Sequence, residues 1–227
     1  MDPSYLACAH HSVMLTSLQL VSYKSSLLLV GLGGGALATY IHTFFPEVTL
    51  TCLDIDEEMV KVAEKWFSFK SDAKLRSVVE DGIQFITKAE KKGEKYDIIM
   101  FDVDSKELSE GLSCPPRMFV EKEFLKKVAN TLTKKGIFAL NLVCRDPAIK
   151  KDIIRELKEV FGTVFSVAIP EEVNVVLFCR VAADSSLSER TFQDRIKTLN
   201  DYLKAETKSH TDVLELRDMM NSFQIVH

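Results

Sequence analysis

Five short strand-like runs punctuate the chain: Leu27 to Val30, Val48 to Leu53, Leu75 to Val79, Tyr96 to Phe101 and Ile137 to Val143. Leu27 to Val30 is fully apolar and Tyr96 to Phe101 nearly so, without the apolar/polar alternation of a half-exposed strand, so these are expected to be buried on both faces of a sheet. Between them the apolar period becomes helical. Leu37, Tyr40, Ile41 and Phe44 share one face until Pro46 stops the pattern, and Met59, Val60, Ala63 and Phe67 do so over Glu57 to Phe67. Asp81 stands where it can cap a helix carrying Ile83, Phe85 and Ile86. Phe119 to Leu132 reads as helix, with Gly136 marking the turn that follows, and Pro147 to Phe161 as another. A helix between consecutive strands requires a parallel sheet with right-handed crossovers.

The order then changes. Thr163 to Ala168 and Val173 to Val181 are separated only by Ile169 to Glu172, too short for a helical crossover, so this pair is expected to be antiparallel. Five parallel strands closed by an antiparallel hairpin, seven in all with helices on both faces, resembles the Rossmann-like sheet of class I methyltransferases and differs from that of dinucleotide-binding dehydrogenases, whose sixth strand runs parallel. The expected organisation is one α/β domain over 1–227. It has an N-terminal helical segment over 1–25, the core sheet over 26–181, a polar linker over 182–188, and C-terminal helices over Glu189 to Lys204 and Thr211 to Phe223.

Ligands of an open parallel sheet bind beyond the carboxyl ends of its strands, where the strand order reverses. The chain has nine glycines, and four of them, Gly31, Gly33, Gly34 and Gly35, fall within five positions directly after the first strand. Glycine there lets backbone approach a ligand and opens a helix N-terminus. Asp54 ends the second strand, 23 positions beyond Gly31, where an acid can accept hydrogen bonds from a ribose diol. Asp81-Gly82 follows the third strand, and Asp102 and Asp104 the fourth. A ring of carboxylates is a poor neighbour for a pyrophosphate and a good one for a cationic nucleoside such as S-adenosylmethionine. Each element also has a plainer reading. Gly31-x-Gly33-x-x-Ala36 fits dehydrogenases as well, Asp54, Asp56 and Asp81 can serve as helix caps, and Asn174 can be a turn residue.

With a formal net charge of -4, a nucleic-acid binder working through a broad basic face is excluded. Cys8, Cys52, Cys114, Cys144 and Cys179 form no C-x-x-C pair and no zinc-like pattern with histidine, so reduced thiols in a cytoplasmic protein are expected, with no metal site. No basic region precedes an apolar stretch at the N-terminus, and Leu27 to Phe45 is broken by glycines and polar residues, so neither a secretory signal nor a membrane partner is expected. The abrupt start at Met1-Asp2-Pro3 suggests a domain taken out of a longer chain. Lys88 to Lys95 reads as a solvated helix end, and Cys114-Pro115-Pro116 as a rigid loop.

Leu28-Leu29-Val30-Gly31-Leu32-Gly33-Gly34-Gly35, Leu53-Asp54-Ile55-Asp56, Glu80-Asp81-Gly82 and Tyr96 to Asp102 resemble the spermidine-synthase-like branch of class I methyltransferases. More closely, Tyr5 to His11, Phe101 to Lys106, Ser113 to Pro116, Leu140 to Asp146 and Glu172-Val173-Asn174 resemble the C-terminal domain of the dual methyltransferases of translation elongation factor 1-alpha. The resemblance covers essentially the whole chain. It implies an S-adenosylmethionine-dependent enzyme that methylates the factor's N-terminal α-amine, leaving S-adenosylhomocysteine. It also implies a cofactor site of Gly31, Gly33, Gly35, Asp54, Ile55, Asp81, Gly82 and Asp102. Asp104 would orient the amine or take its proton, and Asn174 would hydrogen-bond the amine or the first peptide group. His10, His11 and Asn141 stay unassigned, and a homodimer is left open. True spermidine synthases carry an acid where this chain has Gly34 and a further Asp where it has Ser105, departures that favour methyl over aminopropyl transfer. The rival readings are an aminopropyltransferase and a non-catalytic interaction domain.

Overall fold

A computed structural model describes residues 6–21, 24–105, 111–207, 214 and 222–226. Two short helices, α1 (Ala9–Met14) and α2 (Ser17–Leu20), precede the sheet. The first half alternates as expected: β1 (Ser26–Val30), α3 (Ala36–Phe44), β2 (Thr49–Asp54), α4 (Glu57–Trp66), β3 (Leu75–Val79), α5 (Gly82–Lys92) and β4 (Tyr96–Phe101). The second half comprises β5 (Leu112–Cys114), a single 3-10 turn over Arg117–Val120, α6 (Lys122–Thr131), β6 (Leu132–Cys144), α7 (Pro147–Val160), β7 (Thr163–Ala168), β8 (Asn174–Arg180), α8 (Glu189–Thr207) and β9 (Phe223–Ile225).

The strands lie in the order β3-β2-β1-β4-β6-β8-β7-β9, with β5 paired to β6 off this path. β3, β2, β1, β4 and β6 are parallel, whereas β8 runs antiparallel to both β6 and β7. The seven expected strands and their terminal hairpin are therefore present. Two three-residue strands, β5 and β9, add to them. The order reverses between β1 and β4, which places the ligand-binding crevice beyond Val30 and Phe101.

Alternate residues of each strand feed two cores. Leu27, Leu29, Cys52, Ile98, Met100 and Phe178 pack with α3, α4, α8 and the N-terminal helices, while Leu28, Val30, Ile99, Phe101, Leu140 and Leu177 pack with α5, α6 and α7. Burial on both faces is what unalternated runs require. Asp56, Asp81 and Asp146 cap α4, α5 and α7 by accepting from backbone N–H groups of the first turn.

Three boundaries differ from expectation. The helix read over Phe119 to Leu132 begins as the 3-10 turn and only then becomes α6, and the turn and α6 meet at Glu121, whose extended backbone interrupts the helix. β6 begins at Leu132 and runs through buried Gly136 instead of starting after it, with a register shift against β4 between Tyr96 and Ile98. Most of the helix read over Thr211 to Phe223 lies outside the described residues. Of its length Leu214 is clamped by a pair of hydrogen bonds with Asn200, and Phe223 opens β9 beside Val167 instead of closing a helix. Among the described residues, no helix is long and apolar enough to cross a membrane.

Candidate functional site

A cavity of about 540 Å³ opens at the carboxyl edge of the sheet, at the reversal between β1 and β4. Its walls come from the ends of four strands: Val30, Gly31 and Gly33, then Leu53 to Asp56, then Glu80 to Gly82, then Asp102 to Asp104. Met59 of α4 and Pro116, Met118 and Phe119 complete the lining.

Gly31 makes this convergence sterically feasible. Its φ is +93°, and a Cβ built on it would stand 1.9 Å from the carbonyl oxygen of Asp102. Only glycine allows the ends of β1 and β4 to touch in this way. The contact is held by Asp102 N–H donating to the Val30 carbonyl, while Gly31 N–H donates to the Leu53 carbonyl of β2, both at 2.9 Å. Gly33, at φ +52°, has nothing within 4 Å of where a Cβ would lie, which leaves bare backbone facing the cavity. Gly82 lines the cavity on the other side, so close to Val30 that a Cβ would sit 2.6 Å from that side chain.

The carboxylates have distinct duties. Asp54 accepts from the Leu32 N–H at 3.1 Å through Oδ2 and from the Asp56 N–H at 3.0 Å through Oδ1, so it pins the glycine loop against β2 and still lines the cavity. Its plainer reading as a cap belongs instead to Asp56, which accepts from the Glu58 N–H at 2.9 Å. Asp81 does both things at once: it caps α5 through the Gln84 N–H at 2.8 Å and lines the cavity. Asp104 is an exposed cavity residue whose carboxylate takes part in no hydrogen bond or ion pair among the described residues.

Asp102 is the most heavily engaged of the set. Its Oδ2 accepts from Nε2 of His11 at 2.9 Å and from Nε2 of His10 at 3.3 Å, and its Oδ1 accepts from the Asn141 Nδ2 at 2.9 Å. Burial raises its pKa, but the hydrogen bonds and charge of the two imidazoles outweigh burial and hold the carboxyl well below the usual carboxylate range. Its charge spreads further. The Cys114 thiol is pushed up first by burial and then by Asp102 and Asp104, and the Cys8 thiol by burial, Asp102 and Glu172. Cys8, His10 and His11 bring one potential ligand atom each within 4.8 Å of one another, but both Nε2 atoms are already directed to Asp102.

The structure thus gathers Gly31, Gly33, Asp54, Ile55, Asp81, Gly82, Asp102 and Asp104 around one cavity. Gly35 stands outside the lining: its left-handed backbone starts α3, and a Cβ there would meet the Phe69 ring at 3.1 Å. Asn174 also lies outside, at the start of β8, and joins the site through Asn141, to whose Oδ1 its Nδ2 donates at 3.1 Å. The unassigned His10, His11 and Asn141 prove to be the scaffold of Asp102. A signal for Asn141 was present, since it is the one polar residue in the run Ile137 to Val143 and it is 3% exposed. A buried amide needs partners.

Spermine/spermidine synthase domain is the family description that matches, over residues 8–195. The chain belongs to that family. Among its relatives are the eEF1A lysine and N-terminal methyltransferases of Xenopus laevis, 40% identical, and Homo sapiens, 38% identical, each aligned over 99% of this chain and 34% of its own length. The chain therefore spans about a third of the length of these relatives. The crystal structure of human methyltransferase-like protein 13 in complex with SAH superposes with a TM-score of 0.83 at 36% identity, over 94% of this chain and all of that one. A probable spermidine synthase from Corynebacterium glutamicum, with a TM-score of 0.69 at 19% identity, shares the fold.

The residues of this family member suit an adenosyl cofactor. Bare backbone at Gly31 and Gly33 leaves room for close approach, and Asp54 and Asp81 supply acceptors. Ile55 is 67% exposed and Met118 53% exposed although both are large and apolar, so each offers the cavity a face that a flat aromatic ring can cover.

Proposed function

We propose that the protein is an S-adenosylmethionine-dependent methyltransferase acting on the N-terminal α-amine of a protein, translation elongation factor 1-alpha. Asp104 carries this reading. Asp54, Asp81 and Asp102 are each engaged by backbone or side-chain donors, whereas Asp104, with no hydrogen bond or ion pair among the described residues, brings its carboxylate into the same cavity, where a cationic amine would be received. The eEF1A lysine and N-terminal methyltransferase relatives and the SAH complex of a 36% identical structure support the same chemistry.

Gly31 and Gly33 would hold the cofactor through backbone, Asp54 its ribose hydroxyls and Ile55 its purine, with Asp81, Gly82 and Asp102 closing the rest of the site. When bound, the cofactor supplies an electrophilic methyl group on a sulfonium. The protein's part is then to deliver a neutral nitrogen in the right orientation. An α-amine has a reference pKa near 7.7–8.0, so about a tenth to a fifth is neutral at pH 7, while a lysine near 10.4 is almost wholly charged. Asp104 attracts the protonated amine and takes its proton. Asn174 holds the amine or the first peptide group. Gly34, where the polyamine enzymes carry an acid, contributes no side chain and faces the Phe67 ring, which supports methyl over aminopropyl transfer.

A protein substrate in the cytoplasm is consistent with five cysteines that are all unpaired. The test is transfer of labelled methyl groups to recombinant elongation factor 1-alpha, with its N-terminus free or chemically blocked. The expected result is labelling of the free form only. Equal labelling of both forms, or transfer of an aminopropyl group from the decarboxylated cofactor instead, would overturn the reading.

A further inference from the structure

A carboxylate can only accept hydrogen bonds, and that restriction propagates through two neighbouring amides. Asp102 is held ionised by His10 and His11, so the group of Asn141 that faces it must be the NH₂ end, as the 2.9 Å bond from Nδ2 to Oδ1 records. Asn141 therefore turns its carbonyl Oδ1 the other way. The group that meets this oxygen must be a donor, and Asn174 meets it with Nδ2 at 3.1 Å. Once its NH₂ end is committed, the opposite end of the Asn174 carboxamide is a carbonyl oxygen.

The sheet explains why these residues meet. In the β6–β8 register Val143 lies opposite Asn174 and Asn141 opposite Val176, so Asn141 and Asn174 are diagonal neighbours on one face. β8 is antiparallel to β6, so Asn174 at its start stands at the carboxyl edge of the sheet, the same edge on which the cavity lies. α1 supplies both imidazoles from the far end of the sequence.

We propose that Asn141 is a positioning residue that fixes the Asn174 carboxamide with its oxygen toward the substrate, so that the site recognises an N–H donor, an amine or a peptide N–H, and disfavours a carboxylate or phosphate. The inference rests on the α-amine reading and deepens it. An acceptor directed at one N–H of the amine leaves the nitrogen lone pair free for transfer, which a donor in the same place would occupy. His10 and His11 belong to the same device, since they keep Asp102 an obligatory acceptor.

The test is a double-mutant cycle on methylation of a free N-terminal peptide. Asn141→Leu, similar in volume, is expected to lower kcat about tenfold, the size of one lost positioning hydrogen bond, while leaving the peptide KM within about twofold. In an Asn174→Ala background the same substitution is expected to change the rate by less than about twofold, because Asn141 acts through Asn174. Asn141→Ser provides the same cycle if the leucine variant does not fold. A tenfold loss in both backgrounds would show an independent structural role and overturn the proposal, as would an unchanged rate in the wild-type background. A wild-type protein that fails to methylate the peptide at all would instead refute the underlying α-amine reading.

Discussion

Substituting Gly31 with alanine attacks the point on which the whole crevice depends. The added Cβ would lie 1.9 Å from the Asp102 carbonyl oxygen, so β1 and β4 must part by more than 1 Å before the contact reaches the 3.0 Å that real Cβ atoms respect. A shift of that size disturbs the 2.9 Å bond from Asp102 to Val30 across the junction and, as β1 moves, the 2.9 Å bond from Gly31 to Leu53 of β2. Each is worth about 1 kcal/mol, and a non-glycine residue at φ +93° adds strain of about 2 kcal/mol, giving a total near 4 kcal/mol. In a chain of this size that corresponds to a fall in Tm of about 8–16 °C. Gly33→Ala is the internal control. It also has positive φ but open space around the added carbon, so it is expected to cost about 1 kcal/mol and 2–4 °C. Thermal melts followed by circular dichroism measure both. If Gly31→Ala melts within 2–4 °C of the wild type, or no lower than Gly33→Ala, the steric account of the β1–β4 junction is refuted.

Three further outcomes are expected. Asp102 has a depressed folded-state pKa, so its contribution to stability is fully present above the unfolded value near 3.9 and is lost as pH falls toward the folded value. Asp102→Asn should therefore lower Tm at pH 7 by about 4–8 °C, for about 2 kcal/mol of charged hydrogen bonding, and flatten the acid limb of the Tm–pH curve; an unchanged acid limb contradicts this. Asp54→Ala removes the acceptor for both the Leu32 and Asp56 N–H groups as well as a cavity carboxylate, so cofactor affinity measured by calorimetry should fall at least tenfold, and an unchanged affinity argues against its place in the site. Under brief iodoacetamide treatment only exposed Cys8 should be alkylated, because Cys52, Cys114, Cys144 and Cys179 are buried; peptide mass spectrometry showing early modification of Cys179 would contradict the core assignment.

The parallel part of the fold was legible because a strand buried on both faces leaves an unalternated apolar run, and Leu27 to Val30 and Tyr96 to Phe101 are such runs. β5 and β9 left no such trace. Three residues are too few to carry a period, and Phe223 contributes to a helical spacing while its backbone pairs with Val167. The cavity carboxylates were legible from their positions after strands, but their duties were not. Asp54 pins a loop 22 residues away, and Asp102 is gripped by histidines 92 and 91 residues away and by an asparagine 39 away. Pairings at that separation are set by the packing of α1 and β6 against β4 and leave no local pattern. His10, His11 and Asn141 are therefore ambiguous singly, and the one signal for Asn141 is that an amide sits inside the apolar run Ile137 to Val143.

The central claim is that the cavity delivers a methyl group to a protein's α-amine. The most direct measurement is tandem mass spectrometry of a peptide carrying the N-terminal sequence of elongation factor 1-alpha with an internal lysine, incubated with this protein and S-adenosylmethionine. Methylation confined to the α-nitrogen, and reduced at least tenfold by Asp104→Ala, is the predicted result. Methyl groups on the lysine side chain, or an Asp104→Ala protein as active as the wild type, would contradict it.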